Sequence, residues 1–221
     1  MRATIVFSGG MDSTTVAYYY HKKGYELTLV TFDYGQRHKK EIQFAKITAE
    51  RLGAQHEIID ISGIKCLLKG SSLTDDIDVP TGHYEEESMS VTVVPNRNAI
   101  MASLAYGIAS CNGSDIVAMG IHKGDHHIYP DCREDFLESM NKSMRLATRG
   151  HRHDDLKLEA PFVKVSKTDI VRLGTELGVD YAETWTCYKG LDIHCGECGA
   201  CQERKESFID NGLVDPTEYE S

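Results

Sequence analysis

The sequence predicts an α/β fold: a doubly wound, mostly parallel sheet followed by a small cysteine-rich C-terminal segment. Three observations predict it. Short apolar runs alternate with helix-period stretches through the first sixty residues, the pattern of consecutive β-α-β units. A glycine turn, Ser8-Gly9-Gly10, joins the first run to the first helical stretch. Four of the seven cysteines crowd into residues 187–201.

Residues 3–7 are an apolar run suited to a buried strand. A helix over 12–23 ends at Gly24, the left-handed residue that commonly closes one. Residues 26–32 (ELTLVTF) are the second strand. Over 39–52, Ile42, Ala45, Ala49 and Leu52 share one helical stripe, stopped by Gly53. Residues 56–61 form a third strand. From 63 to 90 the pattern lapses into a long surface excursion, with the Glu85-Glu86-Glu87 run as a solvated face. Long loops of this kind serve as lids or binding loops. Apolar character returns at 91–94, a Pro95-Asn96-Arg97-Asn98 turn follows, and a helix runs from about 99 to 110. Residues 115–121 (DIVAMGI) are a fourth strand. A polar loop, 122–133, leads to a helix ending near 146. Another helix spans 166–177 and closes at Gly178, and a short one, 202–209, follows the cysteines.

At 221 residues, against about 150 per domain, the chain holds one full domain and an appendage, expected at 1–180 and 181–221. A 41% hydrophobic share is enough to bury a core, which excludes general disorder. A formal net charge of −10 makes duplex nucleic acid and anionic membrane poor partners. No stretch approaches the ~18 apolar residues of a spanning helix. The five residues before Ser8 are too short for a signal-peptide core. A cytoplasmic protein is expected, its cysteines present as thiols or metal ligands rather than disulfides.

The loop Ser8-Gly9-Gly10-Met11-Asp12-Ser13-Thr14 lies between strand and helix, which makes it an anion site. Adjacent glycines admit a ligand close to the backbone, and the helix N-terminus offers free N–H groups and a positive dipole end. Asp12 suits a Mg²⁺ ion or a water oriented beside phosphates. The Gly-Lys-Ser/Thr ending of a Walker loop is missing, and so are the spaced glycines of a dinucleotide fingerprint. The blander alternative is a tight turn with Asp12 or Ser13 as a helix cap.

This stretch resembles the SGGxDS signature of the PP-loop ATP pyrophosphatases, which activate a carboxyl or carbonyl oxygen by adenylylation. Four further stretches narrow the resemblance: Phe32-Asp33-Tyr34-Gly35-Gln36-Arg37-His38, Val94-Pro95-Asn96-Arg97-Asn98, Tyr129-Pro130-Asp131-Cys132-Arg133, and Thr184-Trp185-Thr186-Cys187-Tyr188 with the later cysteines. Together, from Phe7 to Cys201, they resemble the 7-cyano-7-deazaguanine synthase family. Departures are Met11 where Gln is common, Asn96 where Gly is common, and the loop 122–127.

The resemblance implies a Rossmann-like fold of the adenine nucleotide alpha hydrolase type. It implies ATP with Mg²⁺ as cosubstrate, bound by Phe7, Ser8, Gly9, Gly10, Met11, Asp12, Ser13, Thr14, Thr15, Val16 and Ala17. The implied reaction converts 7-carboxy-7-deazaguanine and ammonia to the nitrile through an adenylate and an amide. No glutamine-hydrolysing domain fits in this length, so ammonia is expected free or from a separate partner. A homodimer is also implied, with the 63–90 excursion as its contact.

Asp12, Arg97 and Lys167 are the expected catalytic residues. Lys167 opens a helix in the type of segment whose lysine reaches ATP phosphates in this superfamily; its bland alternative is a solvated lysine. Arg97 follows a proline turn, and its guanidinium suits phosphate or carboxylate; otherwise it is a helix start facing water. The loop after the fourth strand lies at the ligand-binding edge of the sheet. There Tyr129 is expected to stack on the substrate ring, Asp131 to accept from its N–H groups, and Arg133 to meet its carboxylate. Simple turn chemistry competes for Asp131. His126-His127 and the 151–155 run (HRHDD) are read as polar loop. A tRNA-modifying PP-loop enzyme, such as a sulfur-transfer enzyme, is the alternative function, opposed by the acidic balance and the lack of a basic arm. A non-catalytic nucleotide-binding protein is a third.

Cys187, Cys195, Cys198 and Cys201 offer a complete tetrahedral thiolate set for structural Zn²⁺. The C-x₂-C-x₂-C run also occurs in iron–sulfur proteins, but those add x₃-C-P, and Lys205 stands there instead. Zinc is expected to pin a C-terminal flap that Trp185 and Tyr188 pack near the ATP site. Cys66, Cys111 and Cys132 are expected as free thiols.

Overall fold

The computed structural model describes residues 1–84, 86–151 and 155–220. Readings made for Glu85 and for 152–154 of the histidine run lie outside the described residues.

Strands β1 (Arg2–Val6), β2 (Glu26–Asp33), β3 (Gln55–Asp60), β4 (Ile116–Met119) and β5 (Lys157–Glu159) form one parallel sheet in the order β3-β2-β1-β4-β5. Helices α1 (Met11–Lys22), α2 (Glu41–Leu52) and α5 (Lys167–Leu177) cover one face; α3 (Arg97–Asn112) and α4 (Glu134–Ala147) cover the other. The period-2 strand pattern decides which side chain goes where. Ala3, Ile5 and Phe7 meet Val16, Ala45 and Ile170, whereas Val117 and Met119 meet Ala105, Tyr106 and Leu137. The chain steps outward from β1 to β3, then returns to place β4 on the other flank of β1. Strand order therefore reverses between β1 and β4, and the crevice beyond their carboxyl ends is where such sheets bind ligands.

Three local readings are corrected. Strand β5 had no signal: it is three residues long at the sheet edge, with Leu158 buried. The Pro95–Asn98 turn is shorter than expected: Pro95 and Asn96 form it, and α3 already begins at Arg97 after Asn96 in left-handed conformation (φ 60°). The 63–90 excursion is not all surface. Leu73 is fully buried against Val30, Phe32 and Tyr34, and its carbonyl accepts from the Arg37 N–H at 2.9 Å.

Helix α6 (Gly199–Asp210) packs on α5 and carries the C-terminal tail. Its Arg204 is fully buried, paired with Asp215 at 3.0 Å and donating to Thr184 Oγ1 and the Tyr181 carbonyl. A polar helix gave no hint of this anchor. A buried guanidinium needs that many acceptors to offset lost hydration.

Candidate active site

A cleft of about 210 Å³ opens at the switch point. Its floor is the loop after β1. Gly9 adopts φ 83°, and a Cβ there would lie 2.6 Å from the Ala45 nitrogen and the Glu41 carbonyl, so only glycine lets the loop lie against α2. Gly10 is the N-cap of α1 and supplies no side-chain cap. Neither Asp12 nor Ser13 caps the helix in its place. Ser13 Oγ donates to the Gly10 carbonyl (3.2 Å) and meets Ser8 Oγ at 3.1 Å. Asp12 Oδ2 instead accepts from Lys167 Nζ at 2.6 Å. The helix start is left open toward the cleft, with its positive dipole end available to an anion.

Around this pair lies a network that spacing did not suggest. Lys167 Nζ is 3.4 Å from Glu203 Oε2, and Glu203 Oε1 is 3.7 Å from His122 Nε2. The His122 N–H donates to Asp125 Oδ2 (2.9 Å), while Tyr84 OH donates to Asp125 Oδ1 (2.8 Å). Burial favours the neutral form of Asp12, but Lys167 and then His122 outweigh it and hold the carboxyl below its usual range. Burial likewise opposes the charge on Lys167, yet Asp12 and Glu203 raise it above the ordinary lysine range. Glu203 goes the other way: burial lifts it, and Lys167 and His122 only partly compensate. Asp12 Oδ1 is buried without a hydrogen-bond partner.

The opposite end is aromatic. Arg97 Nη1 donates to Tyr34 OH at 3.3 Å, with Tyr129 and Tyr188 also lining the wall. Burial pushes Tyr34 up to about 12 against the opposing charge of Arg97. Glu41 borders this end as well. Burial pushes its carboxyl up to about 7, against the lowering effect of the Gln36 amide, which donates to Oε1 at 3.0 Å.

Asp12, Arg97 and Lys167 thus meet in one cleft, with Phe7, Ser8, Gly10, Met11 and Ser13 along its border. Thr14, Thr15, Val16 and Ala17 are buried within α1, Thr15 Oγ1 bonding the Met11 carbonyl and Tyr181 OH. Tyr129 lines the cleft; Asp131 and Arg133 are not among its lining residues. Asp131 accepts from the Asn98 N–H (2.9 Å) and Asn98 Nδ2 (3.2 Å), so it caps α3. Arg133 is exposed and donates to the His126 carbonyl. Sequence reasoning passed over Tyr84, His122, Asp125 and Glu203 because they come from three separate segments with no common spacing. Tyr34 and Glu41 had a signal, since they sit in and just beyond the quoted 32–38 stretch.

The Sγ atoms of Cys187, Cys195, Cys198 and Cys201 all lie within 4.8 Å of one another, every one of these residues buried. Four thiolates bound to one ion at about 2.3 Å lie about 3.8 Å apart, so the set fits a single tetrahedral metal. The N–H groups of Cys195 and Cys198 point at Cys187 Sγ and Cys195 Sγ (both 3.4 Å), the donors a thiolate cluster needs. Gly196 supplies the left-handed turn between ligands (φ 73°). From this knuckle the Trp185 N–H reaches the Gly9 carbonyl at 3.0 Å, which ties the cysteines to the floor of the cleft. Cys66 and Cys111 are exposed, and Cys132 is buried with Asn98 Nδ2 at 3.1 Å from its sulfur.

Comparison with solved structures recovers the same architecture. NMN synthetase from Francisella tularensis aligns with TM-score 0.53 at 18% identity, covering 96% of this chain and 78% of that one. The U34-tRNA thiolase NcsA from Methanococcus maripaludis, solved with its [4Fe-4S] cluster, aligns with TM-score 0.52 at 15% identity, covering 96% and 66%. At such identities the likeness concerns the fold alone. Sequence relatives are much nearer. Proteins named 7-cyano-7-deazaguanine synthase from Allorhizobium ampelinum and Brucella ovis are 51% and 52% identical, covering all of this chain and 93% and 94% of theirs. The sequence model described as "Queuosine biosynthesis protein QueC" matches residues 2–212. With the glycine loop, the Asp12–Lys167 pair and the cysteine knuckle in one continuous match, the chain belongs to the QueC family of queuosine biosynthesis proteins.

Proposed function

We propose that the protein is an ATP-dependent ligase that converts 7-carboxy-7-deazaguanine and ammonia to 7-cyano-7-deazaguanine. The observation that carries this reading is the meeting of the Ser8–Gly10 loop, Asp12 and Lys167 at the switch point of a chain half identical, end to end, to enzymes of that name. A carboxylate oxygen is a poor leaving group. Its attack on the α-phosphorus of ATP expels pyrophosphate and makes that oxygen part of AMP, which ammonia then displaces to give the amide. A second ATP activates the amide oxygen, again expelling pyrophosphate, and loss of AMP and both N–H protons leaves the nitrile.

The chain's own part is to bind and to stabilise charge. The open start of α1 receives phosphate oxygens, and Lys167, kept protonated by its two carboxylates, faces charge developing on them. Mg²⁺ supplies further neutralisation when bound. The unpartnered Oδ1 of Asp12 is the atom that fits it. Structural Zn²⁺ is the metal we assign to the four cysteines, because an iron–sulfur cluster, being several atoms wide, needs its thiolates further apart.

We also infer a homodimer formed through the 63–90 excursion, where Leu67 is 78% exposed. Light scattering reads this directly, and a monomer mass overturns it. Among the described residues no helix is long and apolar enough to cross a membrane; together with cysteines suited to thiols and metal, this supports a cytoplasmic site of action.

Incubation with ATP, Mg²⁺, ammonium and 7-carboxy-7-deazaguanine, followed by mass spectrometry, is expected to yield the nitrile and AMP. ADP in place of AMP would refute the adenylate route. A product that stops at the amide would refute nitrile formation.

A further inference from the structure

Arg97 is a guanidinium without a counter-ion. Among the described residues no carboxylate lies within 4.0 Å of it. Its side-chain partner is Tyr34, through one hydrogen bond of 3.3 Å and a ring whose centroid is 5.9 Å from Cζ. A charge drawn out of water in this way is costly unless something anionic completes the site. Arg204, fully buried where Arg97 is partly buried, shows the finished arrangement, with Asp215 across from it. Arg97 faces the cleft instead.

The surroundings select the anion. Phosphate sites in this fold use free backbone N–H groups at a helix start, and those lie at α1. The start of α3, where Arg97 sits, is already satisfied. Asn98 N–H goes to Asp131 Oδ2 at 2.9 Å, and Arg97 N–H goes to the Val94 carbonyl at 3.2 Å. What flanks Arg97 is mainly aromatic: Tyr34, Tyr129 and Tyr188, with Tyr129 OH held by Thr92 Oγ1 at 2.7 Å. The Glu41 carboxyl also borders this end and feels the charge of Arg97, but forms no ion pair with it. A flat ring bearing one carboxylate matches this wall, and a triphosphate does not.

Resting on the reading under Proposed function, we propose that Arg97 is the anchor for the carboxylate of the aromatic acid, and that it makes the enzyme discriminate the acid from the amide formed midway. The two ligands differ in charge at one substituent. A planar guanidinium grips a carboxylate through two parallel hydrogen bonds, whereas a neutral amide offers one acceptor oxygen and no charge. The site therefore holds the acid tightly for activation. Once the amide has formed, the charged part of that grip is lost, although the reacting oxygen must face ATP in both activations.

The test compares kcat/KM for 7-carboxy-7-deazaguanine and for the corresponding 7-amide, each with saturating ATP and ammonium, in wild type, Arg97→Met and Arg97→Lys. Met keeps the apolar stem and removes the charge. We expect Arg97→Met to lower kcat/KM for the acid roughly 10- to 100-fold, through KM, the range for losing a charged hydrogen-bonding partner. The amide should suffer much less, so the acid-to-amide ratio collapses, and Arg97→Lys should restore part of it. Thermal melting of each metal-loaded protein excludes a folding artefact. An unchanged ratio overturns the proposal, and so does a rise in KM for ATP with the KM for the acid unmoved. A wild type that uses neither acid nor amide overturns the functional reading and this proposal together; intact wild-type turnover with an unchanged ratio overturns this proposal alone.

Discussion

Cys198→Ser is expected to release the metal and unfold the C-terminal flap, with loss of ligase activity. Cys198 contributes one of four mutually close sulfurs and is the N-cap residue of α6, so one substitution removes a ligand and a helix start. Metal binding in small cysteine sites carries about 10–16 kcal/mol of folding free energy. The flap also has Arg204 and Phe208 to hold it, so the loss should be several kcal/mol and local. Hydrogen exchange over 185–201 should rise sharply while β1 and β2 stay protected. Activity goes with it because the Trp185 N–H no longer reaches the Gly9 carbonyl in the glycine loop that borders the cleft. The native protein should contain about one zinc per chain. Cys66→Ser, at an exposed thiol, should change neither metal content nor exchange. Stoichiometric iron and sulfide in a brown protein would sink the zinc assignment. Unaltered exchange in the stripped protein would sink the structural role.

Lys167→Met should cost about 10²–10³-fold in the adenylylation step, the usual loss when one stabilising donor is removed from a developing anion. It should also lower stability by about 3 kcal/mol, since Asp12 and Glu203 are left facing each other without the cation between them. The pH dependence gives this a sign. Burial alone would raise the Asp12 carboxyl, but Lys167 leads the effects that hold it below 3.8 in the folded protein. A depressed carboxyl contributes stability that is present above its unfolded value and lost as pH falls through the folded one. The stability gap between wild type and Lys167→Met should therefore be full near neutrality and shrink below about pH 4. Melting temperatures of both proteins from pH 3 to 8 measure it, and a gap that stays constant would show that the pair carries no linkage.

Much of the fold was legible locally. Gly53 and Gly178 adopt the left-handed conformation at the ends of α2 and α5 that their positions predicted. Short runs of five to seven residues gave β1, β2 and β3. Strand β5 escaped because three residues cannot show a period; its place comes from pairing with β4. Likewise Leu73 is core only because the 63–90 segment folds back over β2, a contact between segments forty residues apart.

The candidate site divides along the same line. By itself the sequence determined the glycine loop, the cysteine set and the family, because each motif is carried by residues a few positions apart whose chemistry does not depend on distant partners. Only the tertiary structure decided who faces whom. Asp131, which reads as a substrate contact, is spent on the start of α3, and Arg133 points to solvent. Glu203, on the short last helix and given no role by the sequence, is brought to Lys167 by the packing of α6 on α5. The physical reason is that burial and charge pairing are properties of the neighbourhood: a carboxylate becomes a cap, a counter-ion or a solvated group according to what the fold sets within a few ångströms of it.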